Sequence, residues 1–352
     1  MAHNLSDISR TLVAPGAGLL SVTTGRDAQK VLSSYFAKGA CDSQKSWTAE
    51  VKKALKHDWV LLACPSDAGG GICRGAAHGP LGIRSALYKY NPQIAKHDLG
   101  DIPCIPQLLH DSMNSKAQLD QSFESLFNKK RSKGESVSPL NLLSDVLTEL
   151  YKNKKQVFVL GGDHSVSWAP FEAFQKAKLK QKIGVLHLDA HTDLMEDRFG
   201  VEYCFATWAA HSVRKISDPA NWFQVGIRVS RKKRQEWEKK FGLQQYWMND
   251  VQRKSPLQMA DVISEQWTRS KVESFYVSLD IDALDPKWAP STGTAEQGGL
   301  ELDYTKILLH ELCARFPLLG GDLVEVAPCI GSKEDAKITL HSAVECLKVL
   351  LP

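Results

Sequence analysis

The eight cysteines of this 352-residue chain include no CxxC pair. That absence leaves neither a zinc knuckle nor a redox dithiol to expect, and scattered thiols fit a reducing compartment. No apolar run approaches the roughly 20 residues of a membrane span. Met1 to Arg10 lacks the apolar core of a secretory signal. A cytoplasmic protein without a membrane partner is therefore expected. Strong charge imbalance is missing too. The formal net charge is +4, too small at this length to argue for nucleic acid or a membrane surface. A basic run does occur, Asn128 to Lys133 inside the polar stretch Ser112 to Ser138. No aromatic residue interleaves its lysines, so base stacking is not supported, and a solvated helix end or loop is expected. Internal repeats and an obvious linker are also absent. The length would allow two domains, but one domain over residues 1–352 is the reading, with a leader of short helices and loops over 1–55 and an insertion over 112–138.

What the chain does have is an ordinary globular composition. Hydrophobic residues make up 43% and charged residues 24%, which at this length permits a large buried core. Trp59 to Cys64 reads as a buried strand, followed by a glycine-rich loop from Gly69 to Gly79 and a helix from Ile83 to Tyr88. From Pro139 onward strands and helices alternate. Strands are expected at Gln156–Leu160, Ile183–Leu188, Trp222–Ile227, Leu243–Trp247, Ser274–Leu279 and within Leu318–Val326. Helices are expected at Leu140–Tyr151, Val166–Lys178, Arg231–Phe241, Leu257–Trp267, Tyr304–Arg315 and Ala336–Leu350. Alternation with apolar strands implies a parallel sheet covered on both faces, which binds ligands at the carboxyl ends of its strands.

Three polar clusters fall at those ends. They are Gly161-Gly162-Asp163-His164-Ser165, Asp189-Ala190-His191-Thr192-Asp193, and Ser278-Leu279-Asp280-Ile281-Asp282-Ala283-Leu284-Asp285-Pro286. Asp189, His191 and Asp193 alternate, so in extended backbone they share one face, and Asp280 and Asp282 do likewise. His164 stands in a turn after two glycines, where the chain can bend tightly. Together these two histidines and four aspartates would repel and desolvate one another unless a cation held them. Seven or eight metal bonds from six side chains require bridging carboxylates, which points to two metal ions roughly 3.5 Å apart. An oxygen-rich set with two imidazoles and no thiolate suits Mn²⁺ better than structural zinc. Two such ions would lower the pKa of a shared water, so the residues read as a site for metal-assisted hydrolysis. Any one cluster alone reads as a turn or a satisfied polar pair.

The three clusters, with Glu325-Val326-Ala327-Pro328 and the early Arg74-Gly75-Ala76, Gly79-Pro80 and Ile83-Arg84, resemble the ureohydrolase family of arginases, agmatinases, guanidinobutyrases and formimidoylglutamases. The likeness runs from about Ala63 to Cys329. It implies a three-layer α/β/α sandwich with a parallel sheet of about eight strands, often assembled as trimers or hexamers. It implies two Mn²⁺ per subunit, one held by His164, Asp189, Asp193 and Asp280, the other by His191, Asp189, Asp280 and Asp282. Asp193 would also orient the hydroxide, and Glu325 would pair with a guanidinium or formimino group of a small-molecule substrate.

Two positions depart from that pattern. Arginases and agmatinases carry a histidine in the loop where this chain has Cys204, and formimidoylglutamases tend to lack it. His211 lies seven residues on as a possible substitute. Arginases also place acids beyond the strand ending at Arg228, where this chain has Val229, Ser230 and Arg231. A cation there would repel an ammonium and pair with a carboxylate, unless Arg231 merely begins a solvated helix. Arg74 is a second candidate for an acidic tail. These departures lean away from arginine and agmatine and toward N-formimidoyl-L-glutamate or a related acid; guanidinobutyrate, which keeps a free carboxylate, fits the Arg231 argument too. A catalytically silent binding protein with the same fold is the reading of another class. His187 shares the parity of Asp189 and reads either as its support or as a packed core histidine. Asp163 could orient His164, Ser165 could cap the next helix, and Ala295 replaces a usual proline.

Overall fold

Eight short segments pair side by side, every one parallel to its neighbours, in the computed structural model, which describes residues 5–20, 32, 35, 36 and 44–352. They are β1 (Trp59–Cys64), β2 (Asp98–Asp101), β3 (Gln156–Gly161), β4 (Ile183–Leu188), β5 (Trp222–Ile227), β6 (Gln244–Trp247), β7 (Ser274–Asp280) and β8 (Leu318–Val324). Their order across the sheet is β2-β1-β3-β8-β7-β4-β5-β6. Strand residues alternate between two cores. Val60, Leu62, Val157, Val159 and Val185 pack under helices Gln44–Ala54, Pro139–Lys152 and Trp168–Lys176. Leu61, Ala63, Phe158, Leu160, Leu186 and Val277 pack under helices Gly79–Tyr90, Pro256–Ser270, Leu302–Arg315 and Lys333–Leu350. Both faces are apolar because both are covered. This is the expected three-layer α/β/α sandwich. Among the described residues no helix is long and apolar enough to cross a membrane.

The strand not expected from the sequence is β2. It has no apolar run, since its residues are Asp98-Leu99-Gly100-Asp101. Its two aspartates are buried because Arg84, itself fully buried, meets both. The Arg84 guanidinium grips Asp98 through Nε at 2.7 Å and Nη2 at 2.9 Å, and also reaches Asp101. Tyr88 donates its hydroxyl to Asp98 as well. A charge network therefore stands in for hydrophobicity at this edge of the sheet.

The helix expected from Arg231 begins three residues later, spanning Arg234–Phe241. Upstream, Arg228 donates to six backbone carbonyls, including those of Asp282, Leu284 and Glu296. That anchor holds the segment beside the turn after β7. The helix starts only where the Glu236 carboxylate can accept the Lys233 N–H, at 2.9 Å. The stretch from Ser112 to Ser138 is more ordered than its polarity suggests. It contains the helix Lys116–Phe127, whose Leu119 and Phe123 bury against Leu108 and Val137 in a small core of their own. Asn128, in the left-handed region, ends that helix. In the basic run, Lys129 pairs with Glu135 and Arg131 with Asp120. Within the leader, helices Leu5–Thr11 and Gln44–Ala54 are described, while residues 21–31 lie outside the described residues.

Replacing Arg84 with Met keeps the bulk but leaves Asp98 and Asp101 buried without their cation. The expected loss is about 3–5 kcal/mol of folding stability, read by chemical denaturation, and a loss below the measurement error would refute this role.

Candidate metal centre

The polar clusters leave the ends of β3, β8, β7 and β4, the four central strands of the sheet. After β3 the chain turns sharply at Gly162, where a Cβ would collide with the Ser66 carbonyl. Asp163 then caps a short 3-10 turn, His164–Ser167, by accepting the Ser165 N–H at 2.8 Å, and it also accepts the Gly69 N–H at 2.9 Å. The cap is thus Asp163 rather than Ser165. Nor does Asp163 orient His164. The His164 Nε2 lies 3.0 Å from Ser278 Oγ, and that hydroxyl donates to Asp322 at 2.7 Å. Nε2 therefore carries the donor proton, and Nδ1 faces the opposite way. There it meets Asp280 Oδ2 at 3.0 Å, Asp193 Oδ2 at 3.2 Å and Asp189 Oδ2 at 3.3 Å. This buried nitrogen has no hydrogen-bond partner of proper geometry.

The remaining ligand candidates converge by bending, not by strand alternation. β4 ends at Leu188, and Asp193 takes the left-handed conformation with φ 50°. Its Oδ2 accepts the indole N–H of Trp208 at 2.9 Å. His191 turns Nδ1 to Asp282 Oδ2 at 3.2 Å and Asp189 Oδ1 at 3.5 Å. Asp280 is the last residue of β7, and Asp282 sits in the 3-10 turn Ile281–Ala283. Thr294 donates to Asp282 Oδ2 at 2.9 Å. Two ligand groups result, one with His164, His187, Asp189 and Asp193, the other with Asp189, His191 and Asp282, and they share Asp189. All six expected residues are thus brought together, Asp280 through its contact with His164.

The electrostatics define what the cluster needs. Burial, then Asp282 and Asp189, push the Asp280 carboxyl well above the usual carboxylate range. Burial, then Asp189, raises Asp193. Against its own burial, Asp189 is held well below that range by the imidazoles around it, His164, His187 and His191. Burial alone would lower the two imidazoles, but the surrounding carboxylates win. His191 is pushed up to about 12, chiefly by Asp282 and Asp189, and His164 is raised well above its ordinary value. Without metal, protons on the imidazoles supply the missing positive charge. The donor set, its buried lone nitrogen and its charge all fit two divalent cations.

Glu325 completes the floor of the site. It is a buried, non-glycine residue at φ 62°, and its Oε1 accepts the His164 N–H at 2.9 Å. Burial, then Asp280 and Asp163, raise its carboxyl well above the ordinary range. Cys204 is buried nearby in a loop tied to the glycine-rich segment by the bond from Phe205 N–H to the Gly69 carbonyl, 3.0 Å. Burial raises its thiol, keeping it protonated. His211 is no substitute for the absent histidine, because its Nε2 is engaged by the carbonyls of Glu196 and Glu202. Arg74 is exposed and bonded to the Asp67 carbonyl of its own loop. Arg231 is exposed. The N–H groups of Arg228 and Val229 both bond the Ala190 carbonyl, at 2.9 and 3.1 Å, so its segment is pinned beside the cluster. Trp208, Ser278, Asp322 and Thr294 were given no role in the sequence reading, although Ser278 and Asp322 interrupt apolar strands, a visible sign of a buried polar role.

Fold and cluster define the class, a three-layer α/β/α protein with acidic and imidazole groups gathered at its central strand ends. Residues 57–351 match the arginase family, and the chain belongs to it. It is 34% identical over 218 residues to an agmatinase of Bacillus anthracis, an alignment covering 60% of this chain and 69% of the relative. Arginase from Bacillus subtilis shares the fold at a TM-score of 0.64 and 23% identity, over 83% of this chain and 98% of that one. Formimidoylglutamase from Bacillus subtilis subsp. subtilis str. 168 does so at 0.63 and 21%, over 82% and 86%.

Because the folded pKa of Asp280 lies above its unfolded value, the folded metal-free state binds more protons across that interval. The contribution of Asp280 to the stability of the chelated protein therefore falls as pH rises from the ordinary carboxylate range through the raised value. Asp280→Asn should flatten that fall and raise the unfolding midpoint at neutral pH, by about 1.4 kcal/mol for each pKa unit relieved. Unfolding of the chelated proteins over a pH series checks this, and a lower midpoint for the variant would count against it.

Proposed function

We propose that this arginase-family chain is a binuclear manganese hydrolase that cleaves a non-peptide C–N bond of a linear amidine. The observation that carries the reading is Glu325. One of its oxygens is fixed by the His164 N–H while the residue is held at a costly backbone angle beside the cluster. A carboxylate so placed can accept two N–H groups of an amidinium or guanidinium through its other oxygen. His164, Asp189, Asp193 and Asp280 would hold one cation, and His191, Asp189, Asp280 and Asp282 the other. The pair would supply hydroxide near neutral pH. Asp193, whose Oδ2 is fixed by the Trp208 indole, would orient that hydroxide toward the amidine carbon, and the hydroxide's own proton would leave with the departing amine. The protonated Cys204 forms pocket wall.

N-formimidoyl-L-glutamate is the favoured substrate. Arg231, two residues beyond Val229, whose N–H is bound to the Ala190 carbonyl, would offer a cation to an acidic tail. Agmatine is the second reading, favoured by the Bacillus anthracis relative and by Glu296, whose Oε1 lies 3.6 Å from His191 Nε2 and would suit a cationic tail. A homo-oligomeric, cytoplasmic enzyme is part of the same proposal.

Assays of N-formimidoyl-glutamate, agmatine, arginine and guanidinobutyrate with added Mn²⁺ distinguish these. Formamide release from the first is expected, while urea from one of the others would move the assignment. No turnover and no bound metal after reconstitution would leave a silent binding protein. Arg231→Ala is expected to raise KM for an acidic substrate far more than it lowers kcat, and an unchanged KM would remove Arg231 from the site. Asp189→Ala should abolish metal binding at the shared position together with activity, so full activity in that variant would refute the ligand assignment.

A further inference from the structure

A chain of buried polar side chains crosses three strands and ends on Asp189. His187 in β4 lies beside Gln224 in β5, and Gln224 beside Gln245 in β6. All three are fully buried. Such groups are costly inside a sheet unless each finds a partner, and each does. Trp247 can only donate, and its Nε1–H meets Gln245 Oε1 at 3.1 Å. Gln245 therefore donates through Nε2 to Gln224 Oε1, at 2.7 Å. Gln224 in turn donates through Nε2 to the Thr192 carbonyl at 2.6 Å, a group that can only accept. The second contact of that same amide nitrogen is His187 Nδ1, at 3.0 Å. Nδ1 must then be the lone-pair nitrogen, which puts the ring proton on Nε2. Nε2 lies 2.9 Å from Asp189 Oδ2. The donor-only indole at one end and the acceptor-only carbonyl at the other impose the same polarity on the whole chain.

We propose that Gln224 is a positioning residue for the metal centre. Through His187 it fixes Asp189 Oδ2, and through the Thr192 carbonyl it fixes the turn that carries His191 and Asp193. It thereby sets the shared carboxylate before any metal arrives. The proposal rests on the ligand roles given above. It also assigns His187, which stands close enough to be a ligand, to supporting one: the nitrogen nearest the cluster already carries a proton. Its ring is wedged between Trp208 and Trp222, with centroids at 4.8 and 6.1 Å, so it has little room to turn over.

The test uses the full chain and has two readouts. Nitrogen-15 NMR of the metal-free protein at mildly alkaline pH reads the His187 tautomer. Chelator competition reads Mn²⁺ affinity, with the metal-free unfolding midpoint of each variant measured alongside. The wild type should show the Nε2–H tautomer. Gln224→Met, similar in length but without a donor, should lose the fixed tautomer and bind Mn²⁺ about 10- to 100-fold more weakly, the range for outer partners of metal ligands. His187→Leu should weaken binding similarly. His187→Gln, whose amide nitrogen reaches the place of Nε2, should restore most of the affinity. A purely structural role would lower the unfolding midpoints while leaving affinity unchanged. A proton on Nδ1 in the wild type overturns the proposal, and so does wild-type Mn²⁺ affinity in both Gln224→Met and His187→Leu. A wild type that binds no divalent metal overturns the metal centre instead, and the tautomer in the metal-free protein still decides whether the chain has the stated polarity.

Discussion

The structure depends on one electrostatic constraint: five carboxylates and three imidazoles must share a small, buried volume. The chain meets it with its own backbone. Asp189 accepts the His191 N–H, Asp280 the Asp282 N–H, Asp282 the Ala190 N–H and Glu325 the His164 N–H. In each case one oxygen is anchored by the main chain. The other oxygens of the three aspartates face the imidazoles, and that of Glu325 is the one the proposed function offers to a substrate. Asp193 is the exception, since its anchor is the Trp208 indole. Hydrogen bonds of this charge-assisted kind are roughly twice as strong as neutral ones. They also fix direction, which a diffuse charge could not do.

This anchoring explains why the site needs a parallel sheet. Parallel pairing brings all carboxyl ends to one edge, and the four central strands each deliver a turn there. The turns are tight enough to force Asp193 and Glu325 into the left-handed region, at a cost of about 1–3 kcal/mol each. Two apolar cores, one on each face, keep the strands from relaxing that strain. At the far edge of the sheet, Arg84 holds β2 with a second, fully paired charge network. In that network the cation belongs to the protein, whereas at the central strands it must come from outside.

Much of this was legible in the sequence because apolar runs and polar clusters adjoin one another. Trp59–Cys64, Ile183–Leu188 and Trp222–Ile227 are uninterrupted enough that their bounds could be read directly. The six ligand candidates stood out because charged residues at the end of a buried strand are costly unless a counter-charge binds them. What stayed hidden had a non-local cause. β2 is a strand only because Arg84 neutralises it from a helix. The late start at Arg234 depends on carbonyls some 55 to 70 residues downstream that Arg228 binds. The convergence of Asp189, His191 and Asp193 was expected from strand alternation, yet it comes from a bend, since sequence spacing constrains proximity more strongly than backbone path.

Supporting residues are hidden for the same reason, and their placement suggests how chemistry and specificity separate in this fold. Ser278 and Asp322 hold His164, and Gln224 holds His187 and the Thr192 carbonyl, all from strands buried on both sides. A change at any of these positions must be accommodated by packing on two faces. The groups that the proposed function turns toward a substrate tail come instead from loops. Cys204 sits in one, Glu296 in another, and Arg231 in a third whose backbone is bound to the ligand turn at Ala190. Loops can exchange such residues with little cost to the core. On the proposed function, the sheet would fix where a nucleophile is generated, while a few loop side chains would set which amidine reaches it. The departures at Cys204 and Arg231 would then bear on the substrate and leave the six ligand positions unchanged.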